Sequence, residues 1–357
     1  MDSFTPYADL FANPQGPGDA RPTALQVVRD LNLVGKLAGR VILITGGTSG
    51  LGLETARAIH TTGADVYITA RSSAKAQSAV DSIKSSSAGS GKLEVIDMDM
   101  NSLESVKKAA KAFLEQSSVL NVLINNAGIM ATPADTKTSE GFDQQFGVNH
   151  LAHFALTSLL LPTLVASSTP SLNSRVVVVT SSAHRMAPVN LADPNFSSSD
   201  YNPWAAYAQS KTANLWMANY IDRTYGPRGV RSVSVQPGVT PTAIHQHVDP
   251  VTANAWKSDP AVAAGARNAD QGAATSVWAA TAAVWEGEGG KYLFDMSVGG
   301  PAKEMEALAD YGYAPHAFDE ESEDKLWKLS EELTVHPLKV ARVDIYHWRL
   351  LFRVVPC

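Results

Sequence analysis

The sequence has a single cysteine among its 357 residues, Cys357, which excludes an intrachain disulfide and a cysteine-based metal site. Charged residues make up only 18% of the chain, and its formal net charge of −6 leaves no basic stripe of the kind that binds nucleic acid. The N-terminus lacks the basic region and apolar run of a signal peptide, and no uninterrupted apolar run reaches membrane-spanning length. These absences predict a soluble, cytoplasmic protein with no transmembrane segment and no nucleic-acid partner.

Glycine, in contrast, is concentrated in residues 41–52. Val41–Ile44 is apolar and rich in β-branched residues, as in a buried strand, and glycines follow at positions 46, 47, 50 and 52. A helical pattern begins directly afterwards. Without side chains a phosphate can approach the backbone, and the helix N-terminus favours its negative charge. This segment predicts a site for the pyrophosphate of a dinucleotide, although glycines also mark ordinary turns.

Strand-like and helix-like segments alternate along most of the chain. The strand-like runs are Val41–Thr45, Asp65–Ala70, Lys92–Ile96, Leu120–Asn125, Arg175–Thr180, Val230–Gln236 and Lys291–Phe294. The helix-like segments between them are Leu53–Thr62, Ala74–Lys84, Leu103–Glu115, Phe142–Leu161 and Ala205–Tyr225. Such alternation predicts an α/β fold of the Rossmann type, a doubly wound parallel sheet with helices on both faces.

The predicted organisation is one catalytic domain with an extension at each end. Residues 1–38 form an N-terminal arm, residues 39–336 form the dinucleotide-binding catalytic domain, and residues 337–357 form a C-terminal extension. Within the domain, the alanine-rich residues 239–290 follow a strand end and are predicted to cover the substrate. The extension mixes apolar residues with arginines, which fits either a segment packed on the domain or a helix for a membrane surface or a partner.

The second predicted strand ends at Ala70 and is followed by Arg71. A site that prefers NAD usually has an acidic residue here to hold the ribose 2′-hydroxyl, whereas an arginine suits a 2′-phosphate. This position predicts NADP(H) as the cofactor. The alternative is a surface arginine without a role.

Tyr207 and Lys211 are spaced to share one face of a predicted helix. A free tyrosine has a pKa of about 10 and is a poor base at neutral pH, but a nearby ammonium favours the phenolate and lowers that pKa. Such a tyrosine can exchange a proton with an alcohol or carbonyl oxygen while a hydride moves at carbon. The pair alone occurs by chance in many helices, so it needs other residues to support it.

Polar residues at several strand ends, or on the helix that follows one, provide this support. The carboxyl ends of parallel strands meet at one edge of the sheet, and we expect these residues to gather there. The segments are Asn125–Gly128, Gly147–His150, Thr180–Ser182 and Gln236–Gly238. Their convergence indicates an active site more specifically than any one motif does.

These motifs resemble those of the short-chain dehydrogenase/reductase family and occur in the family's order. The matching pieces are Thr45-Gly46…Gly50-Leu51-Gly52, Asn125-Asn126-Ala127-Gly128, Asn149, Ser181, Tyr207…Lys211 and Pro237-Gly238…Thr242. The resemblance covers about residues 36–335. Within the family, the chain looks most like the retinol-dehydrogenase and WW-domain-oxidoreductase branch and its fungal relatives. This likeness depends on Gly147–Phe154, on Ser182–His184 and on the long insertion between Ser181 and Tyr207.

The resemblance implies a role for each matching residue. Tyr207 would be the general acid in reduction or the base in oxidation, while Lys211 would hold the nicotinamide ribose and lower the pKa of Tyr207. Ser181 would orient the substrate oxygen, although a slip of one residue would give this role to Ser182. Asn149 would fix a water in a proton relay. The implied cofactor-binding residues are Thr45, Gly46, Ser49, Gly50, Leu51, Gly52, Arg71, Asp99, Asn126, Ala127, Gly128, Tyr207, Lys211, Val239 and Thr242.

Three of these residues match particular parts of the cofactor. Asp99 corresponds to the acidic residue that family members place near the adenine, and Val239 and Thr242 correspond to positions near the nicotinamide amide. Ser49 stands where a basic residue would precede Gly50, so the NADP(H) prediction depends on Arg71 alone.

The sequence therefore predicts an NADP(H)-dependent oxidoreductase that transfers a hydride between the nicotinamide and a carbonyl or alcohol of a moderately sized apolar substrate. By analogy with fungal relatives, we expect a role in secondary-metabolite biosynthesis. Two alternatives stay open, a non-catalytic NADP(H)-sensing interaction protein and an epimerase or lyase on the same fold.

Two further expectations concern partners and metals. The helices at residues 142–161 and 205–225 are candidates to pack against a second subunit in a homodimer, as in many relatives. His245 and His247 are spaced as alternate residues, but no carboxylate or cysteine cluster lies nearby in the sequence, so we predict no metal site.

Overall fold

The computed structural model describes residues 3–307 and 309–335, which fold around one eight-stranded sheet. The strands are β1 Val41–Ile44, β2 Asp65–Ala70, β3 Leu93–Asp97, β4 Val122–Asn125, β5 Ser174–Val179, β6 Val230–Gln236, β7 Lys291–Phe294 and β8 Ser297–Val298. Their order is β3-β2-β1-β4-β5-β6-β7-β8, with parallel pairing up to β7 and an antiparallel β8 at the edge. The predicted doubly wound α/β fold is confirmed. The strand order reverses between β1 and β4, which is where such sheets bind ligands.

Helices cover both faces of the sheet. They are α1 Ala8–Phe11, α2 Ala24–Asp30, α3 Gly50–Thr61, α4 Ser73–Ser86, α5 Leu103–Gln116, α6 Gln144–Phe146, α7 Ala152–Ser167, α8 Pro203–Tyr225, α9 Pro250–Ser258, α10 Pro260–Gly265, α11 Ala269–Gly272, α12 Ala274–Thr281 and α13 Glu320–Val335. A π-helical turn, Gly147–Leu151, joins α6 to α7. One core, around Phe113 and Trp216, includes α5, α7 and α8, and a second, around Ile59 and Trp278, includes α2, α3 and α12. Because helices lie on both sides, every residue of β1, β4 and β5 is buried.

The segment before β1 packs closely on the rest of the chain. Val27 and Val28 of α2 are fully buried, and α2 contacts α3 and α12. The buried Arg21 guanidinium pairs with Asp19 at 2.8 Å and donates to the carbonyl oxygen of Ala266 at 2.6 Å. This segment, which we expected to be an arm outside the catalytic domain, therefore contributes to the core of that domain.

The last described helix, α13, has no counterpart in the sequence prediction. Its Trp327 stacks on Tyr220 with ring centres 4.1 Å apart and meets Phe154 edge-on at 4.8 Å. Its Ser330 Oγ hydrogen-bonds with Nε2 of the buried His150 at 2.7 Å. Helix α13 thus covers part of the surface of α7 and α8 that we expected to face a second subunit. The predicted C-terminal extension, residues 337–357, lies outside the described residues.

One stretch of the described chain, Gln144–Ser167, has the length and apolar composition of a membrane-crossing helix. It consists of α6, the π-helical turn and α7, and more than half of its most apolar window is buried inside the protein. Helix α7 packs on α5 and on β4 and β5, and a helix that is apolar on all sides is typical of such a core position.

Residues 239–290, which we predicted to cover the substrate, occupy two environments. The part that borders a large cavity, among the described residues, runs from Val239 to Val262. Helix α12 is instead buried along its whole length, where Trp278 meets Trp285 edge-on at 4.9 Å. Both parts are rich in alanine. A helix that packs tightly on a sheet needs small side chains, so an alanine-rich composition does not distinguish it from a segment that covers the substrate.

Candidate functional site

The glycine-rich loop between β1 and α3 forms a backbone cradle. Gly50 has a left-handed φ of +53°, and a Cβ on Gly52 would collide with the carbonyl oxygen of Gly46. Ser49 is the N-cap of α3 but makes no side-chain cap, and the first helical turn has no acidic residue. The first amides of α3 therefore have no capping side chain and can donate to an anion. These features fit the pyrophosphate of a dinucleotide.

Thr45, at the end of β1, joins this loop to the end of β4. Its Oγ1 accepts hydrogen bonds from the backbone N–H groups of Asn126 and Ala127, each at 2.9 Å. The side chain of Asn126 donates in return to the Thr45 carbonyl oxygen at 2.9 Å. The two loops that we predicted to hold the cofactor are therefore one connected unit.

Tyr207 and Lys211 lie one turn apart on α8, with their side chains directed towards the end of β5. Tyr207 is only 5% exposed, and its side chain interacts with that of Ser181 on the wall of one cavity. Lys211 Nζ donates to the carbonyl oxygen of Val179 at 3.2 Å and lies 5.7 Å from the centre of the Tyr207 ring. The structure thus brings together three of the four side chains that we predicted to be catalytic.

Burial governs the ionisation of this pair. It raises the pKa of Tyr207 to about 12, although the hydrogen bond with Ser181 acts in the opposite direction. Burial also lowers the pKa of Lys211 to about 8, because a buried ammonium loses its hydration. We expected Lys211 to lower the pKa of Tyr207, but its ammonium lies over the ring and bonds to the Val179 carbonyl oxygen. Tyr207 is therefore held in its protonated form.

Asn149, the fourth predicted catalytic residue, is fully buried in the π-helical turn. Its Oδ1 accepts from the N–H of Ile129 at 2.9 Å, and its Nδ2 donates to the Ile129 carbonyl oxygen at 2.9 Å and to Ser210 Oγ at 3.0 Å. A Cβ on Gly128 would lie 3.4 Å from Asn149 Oδ1 and 3.5 Å from Lys211 Nζ. Asn149 and Lys211 therefore approach the same open glycine, and π-helical turns are frequent at such functional sites.

A cavity of about 700 Å³ opens beside Tyr207 and Ser181. Its wall is mostly apolar and includes Trp204 and Trp256, whose rings meet edge-on at 5.5 Å. Leu51 of the glycine loop also borders it. Other lining residues are Met130, Met186, Val239, Thr242, Ile244 and Met305. The expected proton donor and several expected cofactor residues therefore border one space.

Two expected cofactor residues lie beyond the ends of β2 and β3. Arg71 is exposed immediately after β2. Asp99 is half-buried after β3, and its Oδ1 accepts from the N–H of Asn101 at 3.0 Å. Both are at the sheet edge that carries the glycine loop, where folds of this type contact the adenosine ribose.

Two residues of the site escaped the sequence predictions. Trp204 precedes Tyr207 by three residues, and His153 follows Asn149 by four, so each shares a helix face with an expected catalytic residue. His153 Nε2 lies 2.8 Å from Thr45 Oγ1. Helical spacing from the expected catalytic residues is the signal that could have identified both.

His245 also borders the cavity, where it completes the N-terminal cap of a 3₁₀ turn. Its Nδ1 accepts from the backbone N–H of Thr242 at 3.4 Å. Within residues 3–307 and 309–335, no group of three or more His, Cys, Asp or Glu side chains has the arrangement of a metal site.

Comparison with known proteins identifies close relatives. Residues 40–252 match the family model described as short chain dehydrogenase. The chain is 45% identical over 324 residues to the short-chain dehydrogenase/reductase prx1 of Penicillium roqueforti, covering 91% of this chain and 93% of that protein. It is 37% identical over 298 residues to the polyprenol dehydrogenase of Homo sapiens, covering 83% of this chain and 85% of that protein.

A solved structure agrees with these matches. The crystal structure of an uncharacterized protein from Mycobacterium paratuberculosis aligns with a TM-score of 0.63 at 34% identity, covering 87% of this chain and 98% of that chain. The family resemblance seen in the motifs is therefore confirmed across most of the chain. The protein belongs to the short-chain dehydrogenase/reductase family of oxidoreductases.

Proposed function

We propose that the protein is an NADP(H)-dependent oxidoreductase that interconverts a carbonyl and an alcohol on a moderately sized apolar substrate. The observation that carries this proposal is that Tyr207 and Ser181 together line a mostly apolar cavity of about 700 Å³. The same cavity reaches Leu51, so it joins the dinucleotide cradle to a proton donor.

In reduction, a bound nicotinamide would supply the hydride, while residues of this chain handle the oxygen and the proton. Ser181 would orient the substrate oxygen, and Tyr207 would donate its phenolic proton to that oxygen. Burial holds the pKa of Tyr207 at about 12, so the proton is present at neutral pH. The Lys211 ammonium, which donates to the Val179 carbonyl oxygen, would hold the nicotinamide ribose.

Asn149 would help to return a proton to Tyr207. Its side-chain amide is occupied by Ile129 and Ser210, so its backbone carbonyl oxygen is the group left for this task. This oxygen accepts a hydrogen bond from His153 Nδ1 at 2.8 Å and has a second lone pair. We propose that the second lone pair holds the relay water.

Two observations support an apolar substrate. The cavity wall is formed largely by tryptophan, methionine and aliphatic side chains, and one relative is named a polyprenol dehydrogenase. By analogy with the Penicillium relatives, we also propose a role in secondary-metabolite biosynthesis.

The test is NADPH oxidation by the purified protein with a panel of apolar ketones and aldehydes. Replacing Ser181 with alanine is expected to lower kcat by about 10²–10³-fold, the usual effect of removing one group that stabilises the reacting oxygen. Ser182→Ala is the matched control and should retain turnover, because Tyr207 interacts with Ser181 and not with Ser182. Cofactor binding without turnover across the panel would contradict the proposal and favour a non-catalytic protein. Isomerised or eliminated products without net cofactor oxidation would favour an epimerase or lyase.

Arg71→Glu is expected to reverse the cofactor preference. The exposed arginine is placed to pair with a 2′-phosphate, whereas a carboxylate would repel this phosphate and accept a hydrogen bond from a 2′-hydroxyl. We expect KM for NADPH to rise by about tenfold or more, and KM for NADH to fall. Lys84→Glu, an equal change of charge at the exposed C-terminal end of α4, is the control. Equal effects of the two variants would show that Arg71 acts only through net charge.

A further inference from the structure

His153 is a buried polar residue whose partners all belong to the expected cofactor and catalytic elements. It is fully buried in the first turn of α7. Its Nδ1 lies 2.8 Å from the backbone carbonyl oxygen of Asn149, and its Nε2 lies 2.8 Å from Thr45 Oγ1. The ring therefore spans from the π-helical turn on one side to the end of β1 on the other.

The partners of the ring determine where its proton is. A carbonyl oxygen can only accept, so Nδ1 must carry the hydrogen and donate it to Asn149. Nε2 is then an acceptor, and the Thr45 hydroxyl donates to it in preference to the Ile124 carbonyl oxygen, which is farther away at 3.5 Å. Burial lowers the pKa of His153 to about 4, so the ring stays neutral in this arrangement at physiological pH.

This proton arrangement orients Thr45. The hydroxyl has one hydrogen and two lone pairs. Since the hydrogen goes to His153, both lone pairs are directed to the N–H groups of Asn126 and Ala127, each at 2.9 Å. Both ring nitrogens of His153 are used, and so are the hydrogen and both lone pairs of the Thr45 hydroxyl. Such fully satisfied buried networks hold their members in one geometry.

We propose that His153 is a positioning residue that fixes the glycine loop and the Asn149 carbonyl oxygen relative to one another through a single neutral tautomer. The part of this inference that concerns the Asn149 carbonyl oxygen rests on the proposed function. The part that concerns NADPH binding depends on the dinucleotide cradle alone. His153 does not line the cavity, and it makes no hydrogen bond to the expected acid Tyr207. It therefore acts through Thr45 and Asn149.

The same helical region contains a matched control. His150 is also fully buried and lies three residues earlier, between the rings of Phe146 and Phe154. Its Nε2 bonds to Ser330 Oγ of α13 at 2.7 Å, away from the expected cofactor loops. Replacing either histidine removes a buried hydrogen bond, but only His153 is connected to the cradle.

The experiment compares His153→Leu with His150→Leu in the full-length protein. Both variants are expected to lower the melting temperature by similar amounts. His153→Leu should also raise Kd for NADPH by about tenfold, because the orientation of Thr45 and of the 126–127 amides is lost. It should lower kcat with little change in KM for the carbonyl substrate, whereas His150→Leu should leave Kd within about twofold. Binding is measured by fluorescence titration of the folded protein, so this readout does not depend on turnover.

Two additional variants keep the inference testable if His153→Leu folds poorly. His153→Gln retains one donor and one acceptor and should partly restore NADPH binding. Thr45→Val removes the hydroxyl from the other end of the same link, so its effect on Kd should not add to that of His153→Leu in a double-mutant cycle. Additive effects, or equal shifts in Kd for the His150 and His153 variants, would overturn the proposal. If His153→Leu shows the expected rise in Kd for NADPH but the wild-type protein turns over no carbonyl substrate, the proposed function is contradicted. The inference about the cradle then still holds.

Discussion

Replacing Tyr207 with phenylalanine is expected to lower kcat by about 10²–10⁴-fold, the usual contribution of a positioned general acid. The substitution removes one oxygen from a side chain that is 5% exposed, so the cavity wall keeps its shape. What is lost is the phenolic proton that Tyr207 would donate to the substrate oxygen, together with the interaction of its hydroxyl with Ser181. The measurement is steady-state NADPH oxidation with the best substrate from the carbonyl panel.

The control for this variant is Tyr201→Phe. Tyr201 donates to the Thr132 carbonyl oxygen at 2.9 Å and accepts from Gln145 Nε2 at 2.9 Å, and it does not line the cavity. Its loss should affect stability more than kcat. NADPH should bind the Tyr207→Phe protein with nearly unchanged Kd. Undiminished turnover in this variant would remove Tyr207 from the mechanism.

The pH dependence of the wild-type protein gives an independent check on the role of Tyr207. Reduction requires the protonated phenol, whose pKa burial raises to about 12, so the rate should hold through neutral pH. It should fall above about pH 8, where Lys211 begins to lose the charge that would hold the nicotinamide ribose. Alcohol oxidation requires the phenolate and should therefore rise with pH over the neutral range.

Replacing Trp327 with alanine is expected to lower the free energy of unfolding by about 3–5 kcal/mol, the range for a large buried aromatic residue. Trp327 is 6% exposed and stacks on Tyr220 with an interplanar angle of 15°. It also meets Phe154 edge-on, and its Nε1 donates to Glu331 Oε1 at 3.0 Å. The substitution would leave a void where α13 joins α7 and α8, since a close-packed interior relaxes only partly.

Urea unfolding measures this effect, with Lys328→Ala as the control. Lys328 is the next residue and is exposed, so its truncation should change stability by less than about 0.5 kcal/mol. Trp327→Phe should be intermediate, because it keeps a ring but loses volume and the Nε1 hydrogen bond. A loss below about 1 kcal/mol in Trp327→Ala would mean that α13 contributes little to the core.

Local pattern was sufficient to predict most of the fold. The seven strand-like runs correspond to β1–β7, and the apolar residues of β1 are typical of a strand that helices cover on both faces. Strand β8, with only two residues, is too short to show any period. Helix α13 begins with acidic residues, and the burial of Trp327 depends on partners far away in the chain, so its own sequence gave little indication of its position.

The positions of the strand ends also predicted which residues gather at the site, because the carboxyl ends of parallel strands lie at one edge of the sheet. They could not predict how those residues ionise or what orients them. The raised pKa of Tyr207 depends on the burial of α8, and the link from His153 to Thr45 joins residues 108 positions apart. The pKa and the link both arise from packing between different helices and strands. A periodic pattern within one helix or strand gives no information about such packing.

The contacts of Arg21 bear on the order in which the protein folds during its synthesis. The ribosome makes this arginine 245 residues before Ala266, whose carbonyl oxygen accepts from its guanidinium. During most of translation, α2 can pack on α3 but lacks α12, and Arg21 lacks its acceptor at Ala266. Domains usually fold one after another from the N-terminus during synthesis. This domain cannot finish folding until its C-terminal elements have been made. Helix α2 can complete its packing only after α12 has been made, through contacts of long sequence separation that form slowly.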